Sequence, residues 1–153
     1  MSDDGFRIAE LLLGDFKCSH VLMLMALEAQ GRASPDVVRA MSGLALGLGQ
    51  GFNCGALTGA AAVIGLCAGR GGEDEREDPR LAAVLDDFTG WFNGAMTERY
   101  GGINCADIIN FDPALKSTRC PALIAEVWDK LLECLDAHDI DIANPPSGRG
   151  EEA

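Results

Sequence analysis

No Cys-x-x-Cys pair occurs in this chain, although six of its 153 residues are cysteine. That argues against a thioredoxin-type dithiol and against an ordinary zinc knuckle. Basic side chains are also scarce: 12 Lys and Arg stand against 24 Asp and Glu, and the net charge of −12 opposes nucleic-acid backbones and anionic lipid surfaces. There are only two histidines, and no nucleophile elbow, phosphate loop or histidine pair on one helix is present to support hydrolysis. Gly47-x-Gly49-x-Gly51 is too loose for a dinucleotide loop and follows a helical pattern instead of a strand, so it reads as a tight bend.

Charge is missing altogether from Ala40 to Gly69. The stretch is long enough to suggest a membrane span, but Gly47-Leu48-Gly49-Gln50-Gly51-Phe52-Asn53 breaks it, and neither half reaches the required length of about 20 apolar residues. Two core helices joined by a glycine loop are expected instead. Met1-Ser2-Asp3-Asp4 lacks the basic region and apolar run of a secretory signal, so a reducing cytoplasmic setting is expected, where cysteines serve metals or redox chemistry more than structural disulfides.

What remains is helical almost throughout, with no internal repeat and no alternating strand pattern. The expected fold is all-α, a compact single-domain bundle of about six helices over residues 1–142, followed by a disordered tail over 143–153. Helices are expected over Phe6 to Leu13, Cys18 to Gln30, Pro35 to Leu46 with Ser34 as N-cap, and Cys54 to Ala68. Another begins at Pro79 and buries Leu81, Val84, Leu85, Phe88, Trp91 and Phe92. A short one starts near Cys105, and the last starts at Cys120-Pro121 with Cys120 as its N-cap. Glu73-Asp74-Glu75-Arg76-Glu77-Asp78 reads as a solvated loop.

Cys18, Cys54, Cys105 and Cys120 thus stand at four helix starts, where unpaired amides and partial positive charge favour the thiolate, the form that attacks and that ligates metals. Cys67 lies thirteen positions beyond Cys54, about 20 Å along a helix at about 1.5 Å per residue, and Cys134 lies as remotely from Cys120. Both read as small buried hydrophobes. Gly55 and Gly59, four apart on one face, would let a helix or a cofactor approach closely. His20, two positions after Cys18, points to another side of its helix and reads as a surface or polar-edge residue, not a ligand.

These residues resemble a family of redox-active proteins of about this length, recognised by a Cys-Gly-Ala-x-x-Gly motif and four characteristic cysteines. Cys54-Gly55-Ala56-Leu57-Thr58-Gly59 carries the motif, and Tyr100-Gly101-Gly102-Ile103-Asn104-Cys105 looks like the family's later Phe-Gly-x-x-Asn-Cys stretch. Cys18 and Cys120 fall where the first and last cysteines are expected, so the likeness spans Ile8 to Asp136. Lys17-Cys18-Ser19-His20 differs from the usual Asn-Cys-Ala-Gln context, and Cys67 and Cys134 are additional. The resemblance implies a small helical protein with redox activity.

Two chemistries use four convergent thiolates. One is electron transfer through a 2Fe-2S cluster, preferred over zinc, ligated by Cys18, Cys54, Cys105 and Cys120. The other is thiol-disulfide exchange through Cys54, Cys105 and Cys120, with Cys54 attacking. A helical interaction module with merely buried cysteines is the third reading. The acidic surface suits a basic partner such as a redox enzyme or the cytoplasmic face of a transporter, and a homodimer sharing the site is compatible with the sequence.

Overall fold

In the computed structural model, which describes residues 3–147, the charge-free run forms the centre of an α-helical bundle. The helices are α1 (Asp3–Leu13), α2 (Cys18–Ala29), α3 (Pro35–Ala40), α4 (Gly55–Ala68), α5 (Leu81–Tyr100), α6 (Cys105–Ile109) and α7 (Pro113–Ala137). No strand occurs among the described residues, and no helix there is long and apolar enough to cross a membrane. Helix α4 carries no charged residue because it is wrapped on several sides: Ala56, Ala60, Val63, Ile64, Cys67 and Ala68 are buried against α2, α5 and α7. Helix α5 contributes Val84, Phe88, Phe92 and Met96, and α7 contributes Ile124, Val127, Leu131 and Leu135.

Two expectations need correction. The helix opened by Pro35 stops at Ala40 and passes through a 3-10 turn, Met41–Leu44, instead of reaching Leu46. Beyond it the chain turns left-handed: Leu46 (φ 57°, ψ 33°), Leu48 (φ 62°, ψ 27°) and Gly49 (φ 70°, ψ 6°) all have positive φ. For a leucine this costs about 1–2 kcal/mol, and such local strain clusters at functional sites.

Helix α7 begins eight residues early. Asp112 is its N-cap, with Oδ1 accepting from the Ala114 amide at 2.9 Å, and Pro113 is its first residue. Cys120 is therefore inside a helix and not at its start, and Pro121 is an interior proline that leaves the Ser117 carbonyl without its helical partner.

The tail is partly placed. Ser147 donates from its amide to the Cys67 carbonyl at 3.0 Å and from Oγ to the Gly69 carbonyl at 2.7 Å, so it closes the C-terminal end of α4. The remainder of the expected disordered tail lies outside the described residues.

Candidate functional site: a four-thiol cavity

Cys54 and Cys105 enter the site by the same local device. Phe52-Asn53-Cys54 and Ile103-Asn104-Cys105 run antiparallel, with Asn53 bridged to Asn104. The Cys54 amide donates to the Ile103 carbonyl at 3.0 Å, and the Cys105 amide donates to the Phe52 carbonyl at 2.6 Å. The two loops are thereby locked to each other just where each becomes a helix, with Cys54 as N-cap of α4 and Cys105 as first residue of α6. Asp107 supports the second loop by accepting from the Asn104 amide at 3.1 Å. The duplicated Asn-Cys dipeptide was the sequence signal for this pairing.

Cys18 opens α2 against the other side of α4. Its sulfur lies where a side chain at Gly55 would have to stand, so the absence of a Cβ at Gly55 is what seats the thiol. Cys120 arrives from α7, on the face that also carries Pro113, Lys116, Ser117 and Ile124. All four cysteines line one cavity of about 770 Å³, open to solvent on one side and walled largely by apolar residues of α1, α6 and α7. Cys67 and Cys134 are buried in the core and line none of it. Gly55 lines the cavity; Gly59 does not, and instead faces the Ser19 backbone in the packing of α2 on α4.

The thiols are not acidic. Burial, and after it the charge of Cys18, pushes Cys54 up to about 12. The amides of Ala56 and Leu57 oppose this without closing to hydrogen-bond geometry. Cys120 is pushed up to about 11 by burial, then by Cys18 and Cys105, while Lys116 opposes. Cys105 is raised by burial and by Cys18. Cys18 is raised by burial too, against the Leu46 and Ser19 amides and the charge of Lys116. Helix-start geometry has the sign the sequence suggested, but desolvation outweighs it. The four thiols are mutually coupled: Cys18 raises each of the other three, Cys105 raises Cys120, and Cys120 raises Cys54.

His20 is buried, contrary to its reading as a surface or polar-edge residue. Its Nδ1 accepts from the Lys17 amide at 3.1 Å, so Nε2 carries the proton and donates to Ser42 Oγ at 2.7 Å. It ties the start of α2, and with it Cys18, to the 3-10 turn. Burial, then the charge of Lys17, lowers its pKa. A folded value below the unfolded one of about 6.5 means that the imidazole's contribution is complete above that pH and is lost as pH falls below it. Melting temperature is expected to fall from pH 7 to pH 5, and His20→Gln to lose part of that slope. Parallel pH profiles for the two proteins would refute this role.

Among the described residues no three of His, Cys, Asp or Glu are grouped closely enough to hold a metal ion at one point. Lys116, which the sequence reading passed over, is the cation that faces Cys18, Cys105 and Cys120. Only its spacing of four from Cys120 on one helix face signalled it.

No curated protein sequence and no solved structure matches the chain. Residues 16–134 match the family model described as "Putative redox-active protein (C_GCAxxG_C_C)". The motif in that description reads Gly-Cys-Ala-x-x-Gly, whereas here Cys54 precedes Gly55. The match runs from just before Cys18 to beyond Cys120 and takes in the whole paired-loop and cavity region, so the chain belongs to this redox-active protein family.

Proposed function

We propose that this protein transfers electrons through an iron-sulfur cluster held by Cys18, Cys54, Cys105 and Cys120. The observation that carries the reading is that four thiols from α2, α6, α7 and the start of α4, spread over a hundred residues of sequence, line one cavity while the other two cysteines do not. The donor set fits a 2Fe-2S cluster, which takes four cysteine thiolates. A two-iron cluster is preferred over zinc because it carries a one-electron couple, which suits a redox role, whereas zinc has no redox chemistry.

A bound cluster would supply a one-electron couple. The chain supplies the rest: largely apolar walls flank the thiols, Lys116 offsets negative charge on three of the thiolates, and the Ala56, Leu57 and Leu46 amides face sulfur. Because the free thiols are protonated at neutral pH, filling the site must release about one proton per ligating cysteine, and loading is favoured as pH rises.

The test is anaerobic isolation, or reconstitution with iron and sulfide, followed by visible absorption and iron, sulfide and zinc analysis of the same sample. Charge-transfer bands with matching iron and sulfide are expected. A protein that stays colourless and metal-free after reconstitution overturns the reading.

The gathering of four free thiols in one cavity favours one second reading, thiol-disulfide exchange. There Cys18 and a neighbouring thiol would give two electrons and two protons to a substrate disulfide and become a disulfide themselves. Cys54, pushed up to about 12 chiefly by burial, suits attack poorly. Cys18, with the Leu46 and Ser19 amides and Lys116 beside it, takes that role in this reading.

A further inference from the structure

We propose that the thiol cavity also binds an amphipathic organic anion, with its apolar body against Leu12, Phe16, Ile109 and Ile124 and its anionic group at Lys116. Four cysteines account for only part of the cavity. Its volume of about 770 Å³ lies within the range of small-molecule sites, and its remaining walls are overwhelmingly aliphatic or aromatic.

Charge points to the polar end of the ligand. Arg7, Arg39, Arg80, Arg99 and Lys130 each pair with a carboxylate. Lys17 and Lys116 both line the cavity, and neither makes an ion pair among the described residues. Arg32, Arg70, Arg76 and Arg119 likewise make no ion pair among the described residues, but they do not line the cavity, so in a chain of net charge −12 the cavity's two cations are Lys17 and Lys116. Asp15 is the one carboxylate lining the cavity, so two cations against one anion leave its wall net positive, and Lys116 is the cation that faces the thiols. Lys116 sits on the α7 face with Cys120, which puts a bound anionic group on the thiol side of the cavity.

This deepens the redox reading by naming a ligand class for the same site, and it rests on that reading only for the cavity being the working one. The experiment titrates the anaerobically isolated protein with two fluorescent probes: 1-anilinonaphthalene-8-sulfonate, which is anionic, and N-phenyl-1-naphthylamine, its neutral counterpart. Decanoate and decanol serve as competitors, and metal content is measured on the same sample. Saturable one-to-one binding of the anionic probe is expected. Lys116→Met should weaken it on the order of tenfold while changing the neutral probe about twofold or less, and decanoate should displace it better than decanol.

Lys130→Met, outside the cavity, should change neither probe. Equal anionic-probe affinity in wild type and Lys116→Met, or no saturable binding, overturns the proposal, provided the melting temperatures agree. Lost probe binding with the cluster retained sinks the ligand inference alone. Probe binding retained by a protein that cannot be loaded with iron upholds it and sinks the cluster reading alone.

Discussion

Cys18→Ser is expected to abolish the cluster absorbance and the iron and sulfide of the reconstituted protein, and Cys54→Ser, Cys105→Ser and Cys120→Ser are each expected to do the same. Even a residue that only supports a metal ligand costs on the order of tenfold or more in affinity when changed, and these would be ligands. Cys18 should be the most damaging because its sulfur is seated on Gly55 and its charge acts on all three other thiols. Cys67→Ser and Cys134→Ser are the internal controls. Both positions are buried, so serine should lower stability, yet neither lines the cavity and both should retain full cluster content. The contrast separates function from packing: four substitutions remove one common signal and two spare it while lowering melting, and Cys54, as buried as Cys134, should lose the signal and melt lower as well. If all six behave alike and independently, the cysteines are core residues and the chain is an interaction module.

Much of this arrangement was legible in the sequence, and each failure has a physical cause. The absence of charge from Ala40 to Gly69 marked the central helix, because a helix surrounded by others has no face on which to keep a charge. Loop-to-helix junctions at Cys18, Cys54 and Cys105 followed from glycine and asparagine chemistry. The junction at Cys120 was misplaced because Cys120-Pro121 was read as N-cap and first residue, while Asp112-Pro113, a stronger pair with a carboxylate to cap the first turn, stood eight residues upstream. The helix tolerates Pro121 because Ser117 and Pro121 lie on the cavity side, where no neighbouring turn has to close tightly.

Other features depend on partners remote in sequence. Nothing near His20 announces that Ser42 will meet its Nε2. The left-handed conformations of Leu46 and Leu48 contradict residue preference and are imposed by the turn around them. Thiol acidity was misjudged for the same reason: a helix start is a local property, whereas burial is the product of the whole fold.

Gly55→Ala and Gly59→Leu are expected to part company, although the two glycines are one turn apart on the same helix. At Gly59 an added Cβ would stand 2.9 Å from the Ser19 Cα and 3.2 Å from its carbonyl oxygen, which are backbone atoms that cannot turn aside. A leucine there must drive α2 away from α4. It would strain the buried Ser19 Oγ to Met41 carbonyl bond of 2.8 Å and drag the adjacent Cys18 with it. Overpacking of this kind costs about 3 kcal/mol or more, lowering the melting temperature of a domain this size by roughly 6–12 °C. Cluster content should fall as well, and unchanged stability with full metal or thiol stoichiometry would contradict the close approach.

At Gly55 the obstructing atom is the Cys18 sulfur, the end of a side chain that can rotate. Alanine also gains up to about 1 kcal/mol of helix propensity over glycine, so the net stability change at Gly55 should be small and of either sign. The sulfur, however, leaves the cavity to make room. Gly55→Ala is therefore expected to melt close to wild type while losing cluster content, because Gly59 holds the helices together and Gly55 holds the place of a thiol.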